Sequence, residues 1–479
     1  MKKTLLAMFA VAVAFAASAV TLVNDRPALT AHPFDGKIAN VQNDKAKAFK
    51  APAQKAVAMT DVVGTYVMYY QDYFDDGAAA FSEVTIAAGE EDNTLVISGW
   101  WASYAEDLTA TLDPDAGTIT IPRQLIYQYE GDTSADLVNA SDTTAAIVGT
   151  VYAGQGIVFS GYWGAKLENK TNYYALGYNT IFFVPNGTMT WKKSSTNYST
   201  SVYLEDDTKS VYVGNFANYG WGINIDLHAD KTFTIEPVLV SSSSTGDYYL
   251  TEVLTWYNDQ NTFAPVNGTG TETALTFTDN YGWTAGCKGV GSWYGQHFST
   301  VITRTDGEEF NYPVAATEIT LNATDDDEVP ILPNATFQLE VVSVLPEGAD
   351  ADVTWTTSDE HIATVDENGL VTGMEFDGYA IKTGANRAPS DNDHYDYFPV
   401  TITATAVESD ATAAPASASV QVWVKSSTRT AINDVKAAGV ESVKYVNAQG
   451  MVSSTPFDGL NIEVTRMSDG TTKTVKVVK

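Results

Sequence analysis

Residues 353–373 read VTWTTSDEHIATVDENGLVTG. Val353, Trp355 and Thr357 alternate with Thr354 and Thr356, the period-two pattern of a strand with one face on a core. Ile362 to Val365 continue in strand-forming residues, and Glu367-Asn368-Gly369 is a turn, since Gly accepts positive φ at no steric cost. Leu370 to Thr372 resume the strand. Working outward, Ile319 and Leu321 begin a strand, and Phe337, Leu339 and Val341 make another. Val400–Ala404 and Val420–Val424 close the region. Residues 314–425 therefore read as one all-β domain.

The run W-x-x-S-D…I-A-T-V-D-x-x-G-x-V-T-G within that region resembles the bacterial Ig-like group 2 domain. The resemblance implies an Ig-like β-sandwich with Trp355 as its core tryptophan. It also implies a short connection after Gly373, where this chain instead carries Met374–Phe398. Loops of that length are uncommon unless they serve a function or lack fixed structure. Within it, Asp391, Asp393 and Asp396 are candidate calcium ligands, because Ca²⁺ takes six to eight oxygens. Asp325-Asp326-Asp327-Glu328 is a second acidic cluster. Neither has EF-hand spacing, and a solvated acidic loop is the alternative for both. Apart from calcium, no cofactor is expected.

The last fifty residues, about 430–479, also alternate. Leu460, Ile462 and Val464 fall on one face, and Asn461, Glu463 and Thr465 on the other. Asn447–Gly450 and Asp469-Gly470 are turn sequences. A small antiparallel sheet follows. Tyr445-Val446-Asn447-Ala448-Gln449-Gly450, Phe457-Asp458-Gly459-Leu460-Asn461-Ile462 and the lysine-punctuated end Lys473–Lys479 resemble the C-terminal sorting domain of the type IX secretion system. That resemblance implies the type IX machinery as partner, passage across an outer membrane, and then release or surface attachment.

At the other end, residues 1–19 have the form of a signal peptide. Lys2 and Lys3 precede an apolar run from Leu5 to Phe15, and Ala17-Ser18-Ala19 is a small-residue cleavage site. The run is too short to span a bilayer, and no other segment reads as transmembrane. Residues 20–60 lack sustained periodicity and read as a flexible leader. Cys287 is the only cysteine among 479 residues, so no internal disulfide supports any domain. It reads as a buried small apolar residue. A net charge of −32 with pI near 4.3 argues against nucleic acid or anionic lipid as partner.

Residues 61–312 are rich in Tyr, Thr, Val, Gly and Trp, with short strands and no helical period. Thr94–Gly99, an aromatic loop, Leu108–Leu112, a turn and Thr118–Pro122 form one copy of a repeat. Ser210–Gly214, an aromatic loop, Ile223–Leu227, a turn and Thr232–Pro237 form the other. Two related β-sandwich or β-barrel modules, 61–192 and 193–312, are expected. Their aromatics gather in glycine-rich turns: Trp100, Trp101 and Tyr104; Trp163; Tyr219 and Trp221; Trp283; Trp293. A flat ring on a loop is what a sugar stacks against, whereas the same rings can instead plug a barrel end or core. No short catalytic motif is present. The leading expectation is a cell-surface or secreted binding protein of adhesion type, taking a glycan or a host or cell-surface protein. The alternatives are a secreted glycan or peptide hydrolase and a structural part of a surface assembly.

Overall fold

The computed structural model describes residues 56–479 apart from 102–104, 130–132, 169, 325–328, 377–396, 411–412, 427–439 and 469, and before residue 56 only 21–22, 31–34, 45 and 49. The chain is a multi-domain all-β protein. It divides into two compact units, Met1–Ala315 with Glu408–Ala414, and Ala316–Val407 with Pro415–Lys479.

The first unit holds two eight-stranded up-and-down barrels. In the first, β1 (Gly64–Asp72), β2 (Ala78–Ala88), β3 (Thr94–Ser98), β4 (Leu108–Asp113) and β5 (Thr118–Ile121) run as a meander. β6 (Gln124–Tyr129) and β7 (Thr133–Asn139) then leave the ring. β8 (Ile147–Tyr152) and β9 (Gly156–Phe159) rejoin it, and β10 (Tyr162–Leu167) leaves again to pair with β7. β11 (Asn172–Phe183) pairs with β9, β10 and β1, which closes the ring.

The second barrel repeats this plan. β12 (Gly187–Lys193), β13 (Thr196–Asp206), β14 (Ser210–Phe216), β15 (Trp221–Leu227) and β16 (Thr232–Ile235) form the meander. β17 (Val238–Ser243) and β18 (Gly246–Glu252) leave it. β19 (Val266–Gly270) and β20 (Ala274–Phe277) rejoin it. β21 (Trp283–Cys287) and β22 (Ser292–Trp293) complete the side sheet, and β23 (Phe298–Arg304) closes the ring against β12 and β20. Because β12 belongs to this ring, the boundary between modules falls near residue 185 and not at 192.

The correspondence reaches single residues. Ile97 pairs with Leu108 as Val213 pairs with Ile223. Gly149 faces Phe159 as Gly268 faces Phe277. Gly99 and Trp101 have positive φ (83° and 72°), and so do Asn215 and Ala217 (66° and 52°). Trp163 Nε1 donates to Thr180 Oγ1 at 3.0 Å, and Trp283 Nε1 donates to Thr300 Oγ1 at 3.0 Å. The residue before each threonine, Asn179 or Ser299, is left-handed at φ 51° or 49°.

Alternation explains the filled interiors. β4 buries Leu108, Ala110 and Leu112 and exposes Thr109, Thr111 and Asp113. β15 buries Ile223, Ile225 and Leu227 and exposes Asn224 and Asp226. Apolar inside and polar outside is the reverse of a lipid-facing barrel wall. An eight-stranded ring is just wide enough for side chains to fill. Here Ile97, Leu108, Ile119 and Ile157 fill one, and Val213, Ile225, Phe233 and Ile302 the other, each 0% exposed.

The barrels share a seam. Phe81 of β2 enters a socket lined by glycines, where a Cβ at Gly214 or Gly222 would lie 2.5 or 2.9 Å from its ring. Its amide donates to Gly220 O at 3.1 Å. Glu83 accepts from the Ser201 amide at 2.6 Å and from the Thr200 hydroxyl at 3.2 Å. Phe183 stacks on Tyr203 at 4.0 Å. The stretch 20–60 is not wholly a free leader. Thr21–Leu22 pair with β22 and His32–Pro33 pair with β11. Phe34 packs edge-on against Tyr73 and Tyr173. The signal-like residues 1–19 lie outside the described residues.

In the second unit, residues 316–425 form an Ig-like β-sandwich. Val329–Ile331, Ser417–Lys425, Tyr397–Ala406 and Val353–Thr357 make one sheet, and Thr336–Gln338, Leu370–Gly373 and Ala363–Val365 another. Glu318–Leu321 pairs with Val341–Leu345. The strand expected through Phe337, Leu339 and Val341 is broken at Leu339, which turns fully into the core and whose amide donates to Gly369 O. Trp355 is not the core centre. It is half-buried, covers Gly369, where a Cβ would lie 2.9 Å from the ring, and flanks a surface hollow of about 330 Å³. The centre is Leu339, Ala363, Val371, Ile402 and Val422. Phe376 and Phe398 meet edge-on at 5.2 Å at the base of the long connection.

The tail forms its own four-stranded sheet, ordered Val452–Ser453, Val440–Asn447, Leu460–Met467, Thr472–Val478. The alternation is present, but over Leu460–Ile462 its burial is inverted, and Glu463, Val464 and Thr465 are all half-buried. Asn461 is 0% exposed, whereas Leu460 and Ile462 are 43% and 49% exposed. Asn461 explains this: its Oδ1 accepts from the Phe457 amide, and its Nδ2 donates to Phe457 O and Gly459 O. One amide side chain thus ties down the Phe457–Gly459 turn.

The paired tryptophan bonds give a direct test. Thr180→Val and Thr300→Val each keep the side-chain shape and leave a buried indole N–H without its acceptor. Each should cost about 1–3 kcal/mol, read from the urea midpoint. A midpoint unchanged in both variants would remove these bonds from the account of the fold.

Candidate functional site

Both barrels place aromatic residues at the end carrying the β3–β4 or β14–β15 loop. Most candidate rings serve as plugs there. Trp100, Trp163 and Trp283 are 0%, 1% and 0% exposed, and Trp221 is 8% exposed. Trp100 meets Trp163 edge-on at 5.7 Å and Phe159 at 5.1 Å. Phe216, the counterpart of Trp100, meets Trp283 at 5.1 Å. A ring surrounded by core atoms offers no face to a ligand, so these four leave the binding set. Tyr104 lies outside the described residues, as do Asp391, Asp393, Asp396 and 325–328. Among the described residues no group of three or more His, Cys, Asp or Glu is arranged to hold a metal.

Half-buried rings remain at the same end. In the second barrel Tyr219 lies 4.7 Å from Trp221 and 5.2 Å from Tyr294, and Trp221 meets Tyr294 at 5.1 Å. Lys193 Nζ lies 5.2 Å above the Tyr219 ring, a cation–π contact. Tyr281 is 44% exposed nearby in sequence. In the first barrel Trp101 meets Tyr127 at 6.3 Å, and Tyr127 meets Tyr174 at 5.7 Å. Tyr174 and Tyr294 hold the same place in the two closing segments, eleven residues after Trp163 and Trp283. Trp293 stands apart from these, stacked on Trp256 at 5.9 Å. Tyr127 and Tyr174 carried no signal in their own sequence context; only the repeat aligned on the tryptophans brings them forward.

Beneath Tyr219 lies His297, which sequence spacing did not mark. It stacks on Trp283 at 4.0 Å, and its Nε2 is 2.8 Å from the Tyr219 hydroxyl. Gly177 occupies the equivalent position in the first barrel, and there a Cβ would strike the Trp163 ring at 2.5 Å. One barrel thus fills the place with backbone and the other with an imidazole. Burial, and then the charge of Lys193, push the His297 pKa down to about 3, so the ring is neutral at physiological pH. Its role is to anchor Tyr219. Cys287 is buried, and burial pushes its thiol up, which leaves it a packed apolar group and not a nucleophile.

The second unit has a different character. Residues 315–382 match the bacterial Ig-like domain (group 2) family. Such a domain marks a surface or extracellular protein in general. No curated protein matches the chain. Among the described residues, no helix is long and apolar enough to cross a membrane.

His297 makes acid stability testable. Its ring titrates near 6.5 when unfolded and near 3 when folded. Between those values the unfolded chain takes up a proton that the folded chain refuses, so stability falls as pH drops from about 6.5 toward 3. In urea titrations across that window His297→Gln should show a shallower loss than the parent. Identical slopes would place the acid sensitivity elsewhere.

Proposed function

We propose that this chain is an exported, non-enzymatic binding protein of adhesion type, with its Ig-like domain as a spacer and its terminal sheet as a type IX sorting tail. The observation that supports the binding reading is the filled interior of both barrels. With Leu, Ile, Val, Phe and Trp occupying the space where a barrel of this size would hold a ligand, recognition falls to the outer surfaces. The half-buried rings Tyr219 and Tyr294, with Lys193 beside them, and Trp101, Tyr127 and Tyr174 are the surfaces with binding chemistry. A stacked ring offers an apolar plate to the C–H face of a sugar, and tyrosine hydroxyls serve its rim. The ligand class is a glycan or a cell-surface protein displaying one.

The sorting reading has its own support. Val452, Leu460, Ile462 and Val478 lie on one face of the terminal sheet through the pairs Val446–Val452, Val446–Ile462 and Leu460–Val478. They are 60%, 43%, 49% and 72% exposed. Exposed apolar side chains on a face that also carries Lys444 and Lys476 suit recognition by another protein. The N-terminal signal-like segment would take the chain across the inner membrane, and the tail would take it across the outer membrane.

Two measurements test the two readings separately. Tyr219→Ala with Tyr294→Ala should weaken binding to cells and to arrayed glycans by about tenfold, or about 1.4 kcal/mol, with the barrels still folded by circular dichroism. Binding as strong as the parent's would discard the aromatic surface. Deleting residues 430–479 should leave the protein in the periplasm, and undiminished secretion would refute the sorting role.

A further inference from the structure

The β12–β13 hairpin of the second barrel carries a hollow at the same barrel end as Tyr219, built from other residues. Trp191 and Tyr198 pair across the hairpin and stack, with centroids 5.6 Å apart and planes 12° apart. Trp191 is 5% exposed and Tyr198 is 42% exposed, so Tyr198 is the outer ring of the pair. The buried Trp191 Nε1 has no acceptor among the described residues, whereas the indoles of Trp163 and Trp283 reach threonines. On the other edge of β12 the ladder slips. Thr190 pairs with Val301 and Lys192 pairs with Phe298, so Ser299 and Thr300 together oppose Trp191 alone, a bulge of the kind that re-aims side chains. The resulting hollow has a volume of about 400 Å³, with Trp191, Lys192, Asn197, Tyr198, Ser199 and Ser299 in its wall. The first barrel lacks this stacked pair. Met68 faces Phe182 there as Met189 faces Ile302 here, which puts Tyr70 in the place of Trp191. Tyr70 pairs with Ala80, and its ring turns edge-on to Trp163 at 5.1 Å.

The wall selects the ligand. Among the described residues no carboxylate lines the hollow, although acidic residues outnumber basic ones 59 to 27 in the chain. Asp279, which adjoins it, already accepts from the Ser299 amide and hydroxyl. The Lys192 ammonium and the Trp191 indole can only donate, and the Asn197 amide and the serine hydroxyls add further donors. A donor-rich wall with a cation and a flat ring fits a ligand that has an apolar face and an anionic rim. We propose that this hollow is a binding subsite for an acidic sugar residue, with Tyr198 as the plate under the sugar ring and Lys192 as the partner of its carboxylate. It rests on the glycan reading above and adds a second site with a charge preference. Lys193, the next residue, stands over Tyr219, so one strand end serves both places.

The test titrates the full chain with trimers of glucuronate, galacturonate and mannuronate, each against its neutral hexose trimer. The parent should bind one uronate trimer about tenfold more tightly than its neutral counterpart, and added salt should shrink that preference. Lys192→Gln should abolish the preference and leave neutral binding unchanged. Tyr198→Ala should weaken both. Tyr219→Ala with Tyr294→Ala should keep the preference, because that pair belongs to the other site. No preference in the parent, or a preference that survives Lys192→Gln, overturns the subsite. A preference lost with Tyr219 and Tyr294 but kept in Lys192→Gln also overturns it, while leaving the glycan reading in place.

Discussion

One hydrogen bond, made twice, sets the geometry of the first unit. A buried indole N–H on a side-sheet strand donates to a threonine hydroxyl on the strand that closes the barrel. Tryptophan brings roughly 150–250 Å² of surface to bury, but it also brings a donor that must be satisfied once water is excluded. The threonine meets that demand only because the residue before it adopts a left-handed turn, at Asn179 in one barrel and Ser299 in the other. The kink aims the hydroxyl inward and lets one continuous segment serve the side sheet first and the ring afterwards. The plug and the closure are therefore one device, and the aromatic ends of both barrels are built around it.

The seam depends on a complementary constraint, the absence of side chains. Phe81 docks where Gly214, Gly220 and Gly222 leave backbone bare, and a Cβ at Gly214 or Gly222 would collide with its ring. Polar groups beside it add a bond across the seam, braced from within the second barrel. Glu83 serves Thr200 and Ser201, and Asn215 reaches the same two residues through its Nδ2. The two barrels are thereby fitted to each other by shape and hydrogen bonding, beyond the short connection between β11 and β12.

The sequence displayed the parts of this that rest on periodicity. Thr94–Pro122 and Ser210–Pro237 coincide with β3–β5 and β14–β16, because strands with one face on a core must alternate wherever they occur. Turn glycines such as Gly117, Gly369 and Gly450 are left-handed, as their chemistry requires. What periodicity could not tell was which side of a ring meets solvent. Trp100 and Trp101 are neighbours with different burial, because Trp100 packs on Phe159, Trp163 and Phe182 while half-buried Trp101 meets Tyr127. His297 gave no sign of its anchoring role, because that role depends on Tyr219 and Trp283 arriving from other strands. Asn461 deceived for a related reason: a polar residue on a short sheet can be the buried one when its amide satisfies a turn. The seam was invisible, since nothing local links Phe81 to three distant glycines.

The route by which each barrel closes has a consequence for how the chain matures. Hairpins such as β1–β2 or β14–β15 join neighbours and can form as soon as both strands exist. The ring, however, is sealed by β1 with β11 and by β12 with β23, whose residues lie about a hundred positions apart, and such distant pairings are slow to form. A chain synthesised N-terminus first leaves its first barrel unsealed until Phe183 has emerged. Until then Tyr66 and Met68 wait without the Phe182 that covers them, so each barrel stays pliable until its last strand is in place.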